Sequence, residues 1–301
     1  VAVDSIDFDI LRGETFAMLG PNGAGKSTTM KMISTVSPVS SGELRVLDLD
    51  PATDGRLIRS RLGVVPQEDI LDWSLTVREN VIVYGRYFNL TRREAGRRAD
   101  ELLDFVQLSE RADDQVKPLS GGMKRRLSIA RSMVNDPDLI LLDEPTTGLD
   151  PQARHLLWER LYQLKQQGVT LLLTTHYMDE AEQLADRLVV MDRGRIVAEG
   201  TPRHLIDTHC SRDVVELRFR GRREMAVDDE VHPLETELDR VADKLDLRVE
   251  RLPDRNLVYT DDGDRTVAEL AEHGVHAAGT LVRRSTLEDV FLTLTGRTLI
   301  E

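Results

Sequence analysis

Apolar residues in the first 210 positions fall into two regimes. Unbroken runs at 15–19, 62–65, 139–142, 170–174 and 188–191 are short enough to be strands buried on both faces. Between them, apolar residues recur at helical spacing: Ala95, Ala99, Leu102, Leu103 and Val106 in one stretch, Leu127, Ala130 and Val134 in another. Helix starts are marked. Thr76 with Glu79 and Thr91 with Glu94 read as capping boxes, Ser120 as an N-cap, and Asp150 as an N-cap followed by Pro151 at the first helical position. Ile6, Phe8 and Ile10 alternate with Asp7 and Asp9, predicting a half-buried strand, and 42–46 reads as a further strand. A hairpin follows at 188–198 around Asp192-Arg193-Gly194, and Thr201-Pro202 opens a short helix. Alternating strands and helices predict an α/β domain over 1–210.

The pattern changes after Cys210. Strands are expected at 214–219, 247–249, 257–260 and near 280–282, with helices at 234–245 and 266–272, in a βαββαβ order. A last helix opens with Ser285 and Glu288, read as a capping box, and gathers Leu287, Val290, Phe291 and Leu294 on one face. That face packs on its own sheet or against a partner. The expected division is 1–210 and a small α+β domain at 211–301.

Charge narrows the partners. The net charge is −13, and residues 211–301 hold 14 basic and 21 acidic side chains, so neither part offers the basic face a nucleic-acid backbone requires. No apolar run approaches the ~20 residues needed to span a bilayer, and no signal-like N-terminus is expected. A single cysteine, Cys210, cannot form an internal disulfide and fits a reducing compartment. His204, His209 and Cys210, or His273 and His276, lack the number and spacing of a metal set.

Three motifs carry chemistry. Gly20-Pro21-Asn22-Gly23-Ala24-Gly25-Lys26-Ser27, followed by Thr28, joins a strand to a helix and fits G-x-x-x-x-G-K-[ST]. Its glycines free the backbone to wrap phosphates, Lys26 reaches the β- and γ-phosphates, and the Ser27 hydroxyl ligates Mg²⁺. In Leu119-Ser120-Gly121-Gly122, bare backbone N–H groups stand at the positive end of a helix, open to a phosphate. The run 139–142 closes on Asp143-Glu144 at a strand's carboxyl end, the edge where open α/β sheets bind ligands. There Asp143 can hold Mg²⁺ and Glu144 can take a proton from water.

These motifs in this order resemble the nucleotide-binding subunits of ATP-binding-cassette (ABC) transporters, with LSGGM as the signature sequence. The resemblance implies a P-loop cassette with a mixed sheet and a helical subdomain, and ATP and Mg²⁺ as ligands. It implies that Gln67, after Val65-Pro66, senses Mg²⁺ and γ-phosphate, that His176 contacts the γ-phosphate, and that Asp150 belongs to a loop crossing to a partner cassette. ATP on the P-loop of one copy would be completed by Ser120, Gly121 and Gly122 of another, in an ATP-bound homodimer. The LSGGMKRRL form, VPQ, YGRYF and the terminal TLEDVFLTLTG resemble ATPases of ABC-2-type exporters, similar to the daunorubicin-resistance and nodulation-factor export ATPases. A separate ABC-2-type transmembrane permease is then the expected partner, and it would hold this chain at the cytoplasmic face of the cell membrane. A soluble cassette of translation or repair, or an importer subunit, are the other readings. Tyr84, Tyr87 and Phe88 pack in the core or line the groove for that partner. No aromatic precedes Phe8, which belongs to the core face, so the family's adenine-stacking aromatic is expected to be missing from a shortened front.

Overall fold

The structure is a computed structural model that describes residues 2–68, 70–219 and 233–296. The chain forms two compact units, Val1–Pro202 and Arg203–Glu301. The larger contains β1 (Thr15–Leu19), α1 (Lys26–Ile33), α2 (Pro51–Ser60), β2 (Leu62–Val65), α3 (Val77–Arg86), α4 (Arg92–Phe105) and α5 (Gly121–Ser132). It continues with β3 (Leu139–Asp143), α6 (Pro151–Gln166), β4 (Thr170–Thr175), α7 (Met178–Leu184), β5 (Arg187–Asp192) and β6 (Arg195–Gly200). Helix α8 (Pro202–His209) leads out of it.

The sheet order is β2-β3-β4-β1-β5-β6, parallel except for the β5–β6 hairpin. Every residue of β1 and β4 is buried. That burial is why these runs carry no polar alternation. Phe16, Met18, Leu141, Leu172 and Val189 pack with Met30, Ile33 and Ile58, each burial stabilising by roughly 1.5–3 kcal/mol. Both capping boxes form: Thr76 accepts from Glu79 N and Thr91 from Glu94 N, each at 3.2 Å, and the two glutamates accept the return bonds.

Two expected strands do not form. Ile6, Phe8 and Ile10 pack against the core as their alternation requires, and Phe8 stacks on Phe16 with centroids 5.5 Å apart. Yet residues 6–10 join no ladder among the described residues. The 42–46 stretch makes only an isolated bridge, Val46 to Leu49, although Val46 is buried. Alternation reports which side chains are buried; a strand also needs a neighbour for its backbone groups.

In the smaller unit, β7 (Asp213–Arg218), α9 (Pro233–Leu245), β8 (Arg248–Arg251), β9 (Asn256–Thr260), α10 (Gly263–Glu272), β10 (Gly279–Arg284) and α11 (Leu287–Thr295) make the expected βαββαβ pattern plus a helix. The antiparallel sheet runs β10-β7-β9-β8. Val215, Leu217 and Val258 on one face pack with Leu238, Val241 and Leu270. Val214, Leu257 and Tyr259 on the other pack with Leu292 of α11, which settles that helix on its own sheet. The α11 capping box is one residue later than expected, Thr286 with Asp289 instead of Ser285 with Glu288. Asp289 is 1% exposed, pairs twice with Arg283 (2.6 and 3.0 Å) and accepts from Tyr259 Oη at 3.2 Å. A buried carboxylate needs those donors, and they fix which residue turns inward.

Among the described residues no helix is long and apolar enough to cross a membrane.

Candidate functional site

The order β2-β3-β4-β1 places the carboxyl ends of four adjacent parallel strands side by side. Registers Val65 with Leu142, Asp143 with Thr174, and Thr175 with Leu19 keep the four ends level. Gln67, Asp143-Glu144, His176 and the Gly20–Ser27 loop therefore line one edge, although up to 156 positions separate them in sequence (Gly20 to His176).

The loop after β1 is shaped by glycine. Gly23 and Gly25 have φ of 81° and 104°, in the left-handed region that favours glycine. A Cβ on Gly20 would lie 2.3 Å from the Met191 carbonyl oxygen. Gly25 caps α1 without a side-chain bond, so the helix N-terminus keeps its donors and positive end for an anion. Lys26 Nζ donates to Gly20 O at 2.6 Å and Pro21 O at 3.1 Å, and lies 3.6 Å from Glu144 Oε1. Burial lowers its pKa, against the pull of Glu144 and Asp143.

Asp143 and Glu144 have separate tasks. Asp143 Oδ1 accepts from Ser27 Oγ at 3.2 Å and Thr174 Oγ1 at 2.5 Å. Glu144, 7% exposed, turns away at φ 45°, a conformation costly for a non-glycine residue. Its N–H is held by Thr174 through O (3.1 Å) and Oγ1 (3.0 Å). Its Oε2 accepts from Gln67 Nε2 at 3.2 Å and Thr147 Oγ1 at 3.1 Å, with His176 Nδ1 at 3.3 Å outside hydrogen-bond geometry. The strand-end turn thus points two neighbouring carboxylates at different partners.

The signature stretch stands apart from this cluster. Ser120 Oγ caps α5 by accepting from Met123 N at 3.3 Å. A Cβ on Gly122 would lie 2.7 Å from Ala153 Cβ, so close packing against α6 demands that glycine, whereas Gly121 meets only Leu149 at 4.0 Å. Asp150 caps α6 through Ala153 N at 2.9 Å. Among the described residues no hydrogen bond or ion pair joins Ser120, Gly121 or Gly122 to residues 20–28.

Four further residues support this neighbourhood. Thr174 and Thr147 hold the acids, and their bonds follow from strand register and a tight turn. Arg125, within LSGGMKRRL, is 5% exposed and reaches under the site. Glu180 on α7 is fully buried, accepting from Trp158 Nε1 at 3.3 Å. Burial raises its pKa to about 7, opposed by the hydroxyls of Thr175 and Thr146 and the Trp158 N–H, while Asp179 adds to the rise.

A carboxyl whose folded pKa lies above its unfolded value contributes stability that is full below the unfolded pKa and lost as pH rises through the folded one. Across the window from 4.5 to about 7 the wild type therefore loses on the order of 3 kcal/mol. Glu180→Gln removes that titration. Its melting temperature is expected to exceed the wild type's at pH 8, with the gap closing towards pH 5. Parallel melting curves across that range would contradict the buried-acid reading.

A phosphate-wrapping loop, paired acids on the adjacent strand and a glutamine and histidine on the flanking ends define a P-loop nucleoside-triphosphatase cassette. The comparisons place it more closely. Residues 3–147 match the ABC transporter family, and 235–296 match the C-terminal domain of the nodulation factor export protein NodI. The chain is 46% identical to the Nod factor export ATP-binding protein I of Cupriavidus metallidurans, over 99% of this chain and 93% of that protein. Among solved structures, CbiO1 of Clostridium perfringens, part of an ABC transporter complex, superposes with a TM-score of 0.64 at 30% identity, covering 69% of this chain and 84% of that one. A dimeric post-hydrolysis ATP-binding cassette bound to ADP and Pi superposes with a TM-score of 0.61 at 28% identity, covering 66% and 90%. The chain belongs to the ABC transporter family of ATP-binding proteins, and its activity is ATP hydrolysis.

Proposed function

We propose that the chain powers export of a drug-like or lipid- or oligosaccharide-type substrate through a separate ABC-2-type permease, from the cytoplasmic face of the membrane. The single observation that carries the hydrolytic part is the convergence of Lys26, Asp143, Glu144, Gln67 and His176 on one sheet edge. Residues 1–210 serve as the cassette and 211–301 as an accessory domain. Gly20 to Thr28 bind the phosphates, with backbone N–H groups and Lys26 supplying positive charge. Ser27 and Asp143, two hard oxygen donors already 3.2 Å apart, fit Mg²⁺, and Gln67, bonded to Glu144, would approach it from the next strand end. A Mg²⁺ held by Ser27 and Asp143 would supply positive charge to the phosphates. Glu144 takes a proton from the attacking water and His176 orients the γ-phosphate. Ser120, Gly121 and Gly122 complete the site of a second copy, with Asp150 in the loop that crosses between them. Their separation from residues 20–28 and the dimeric state of the related ADP-bound cassette support this.

The permease reading draws on a groove of about 840 Å³ in the larger unit, lined by Leu62, Tyr84, Tyr87, Phe88 and Leu90 among others. Tyr84 meets Phe88 edge-on at 5.5 Å, and Arg131 lies 4.8 Å over Tyr84, but Tyr87 is 78% exposed. An exposed aromatic on a groove rim suits a partner helix. Where an adjacent reading frame encodes a six-span membrane protein, the wild-type chain is expected to co-purify with it from membranes that co-express the two. Tyr87→Glu should lose that association and keep the ATPase rate of the isolated chain. Equal recovery of both would contradict the docking surface.

A further inference from the structure

Arg125 belongs to neither the phosphate loop nor the acids, yet it touches the backbone on both sides of them. Nε donates to Pro145 O and Nη2 to Asp143 O, both at 2.8 Å. Nη1 donates to Pro66 O and reaches Gln67 O at 3.5 Å. One buried guanidinium therefore brackets Glu144 from before and behind and holds the turn that carries Gln67. Gln67 itself donates to Glu144 at 3.2 Å, closing the circuit. The same side chain stands in the first turns of α5, the helix capped by Ser120.

We propose that Arg125 is a positioning residue that couples the two sites of the dimer, carrying a displacement of Ser120–Gly122 to Gln67 and Glu144 of the same chain. The inference rests on the two-copy reading above. When the signature turn meets nucleotide held by the second copy, α5 moves as a rigid element, and Arg125 moves with it. Its N–H donors lie in one fixed plane, so the carbonyls of Pro66, Asp143 and Pro145 keep their mutual geometry while they follow. Leaving any of them behind strands a buried acceptor, which costs more than moving it. Coupling then travels through a contiguous hydrogen-bond network biased from both ends. Occupancy of one site sets the geometry of the base in the other.

Lysine keeps the charge but cannot span the three carbonyls. The test compares wild type with Arg125→Lys and Arg125→Gln as full chains. It measures phosphate release against ATP concentration, ATP affinity in the Glu144→Gln background, and thermal melting. Wild type is expected to respond sigmoidally. Arg125→Lys should retain ATP affinity within about threefold, lose roughly tenfold or more in kcat, and respond hyperbolically with a Hill coefficient near unity. Arg125→Gln should behave alike, and if it melts early the lysine variant decides. A sigmoidal Arg125→Lys with wild-type kcat overturns the coupling alone, as does loss of ATP affinity in step with kcat. A hyperbolic wild type also overturns the coupling alone, whereas a Glu144→Gln chain that binds ATP yet keeps its monomer mass overturns the two-copy reading, and the coupling with it.

Discussion

Glu144→Gln is expected to lower steady-state phosphate release by roughly 10²–10⁴-fold while ATP still binds, the contribution typical of a positioned general base. Three carboxyls or imidazoles stand near enough to compete for the role, and geometry separates them. Asp143 Oδ1 already accepts from Ser27 and Thr174, which leaves it less free than Glu144 to take a proton. His176 Nδ1 lies 3.3 Å from Glu144 Oε2 but outside hydrogen-bond geometry, and on the proposed reading its task is the γ-phosphate, not the water. Glu144 alone is carried out of line by its φ of 45° and held there through its own N–H. Its side chain is only 6% exposed. The substitution keeps the shape and can keep the Thr147 bond, but removes the basicity. Phosphate release is measured beside ATP binding in the same preparation. Near-normal turnover in the variant would assign the base elsewhere.

Much of this site is legible locally. The Gly20–Ser27 pattern announces itself because its chemistry depends on neighbouring residues: glycines for the backbone path, lysine and serine for charge and metal. Strands β1, β3 and β4 are legible because complete burial leaves an unbroken apolar run. Gln67 and His176 are different. Each is an ordinary residue after a strand, and only the resemblance to the ABC family singled them out, whereas Glu144 already stands out beside Asp143 at a strand's carboxyl end. What brings them together is the order β2-β3-β4-β1, which no local pattern encodes. Thr174 and Arg125 were silent for the same reason. The first reaches Asp143 across 31 positions and the second Pro66 across 59, through register and through backbone carbonyls that have no sequence signature. Ile6–Ile10 shows the converse, a pattern that correctly reports burial where no ladder forms. Gly122 answers to Ala153 as well as to any phosphate, so its presence in LSGG has a packing cause beside the functional one.

The second large effect concerns assembly. Ser120, Gly121 and Gly122 have no bond to residues 20–28 of their own chain, and Ser120 and Gly121 are exposed. A helix N-terminus with accessible N–H groups favours an anion, and on the proposed reading the phosphates it meets are those of a second copy. On the composite-site reading, ATP binding to wild type leads on to hydrolysis and release, so the two-copy state would be transient. With Glu144→Gln the nucleotide persists, and the assembly should persist with it. The account therefore turns on the mass of the Glu144→Gln chain in solution, measured by light scattering with saturating Mg²⁺ and ATP. We expect 34.0 kDa without nucleotide or with ADP, and twice that mass with ATP. A chain that binds ATP to saturation and remains at 34.0 kDa would contradict the composite site.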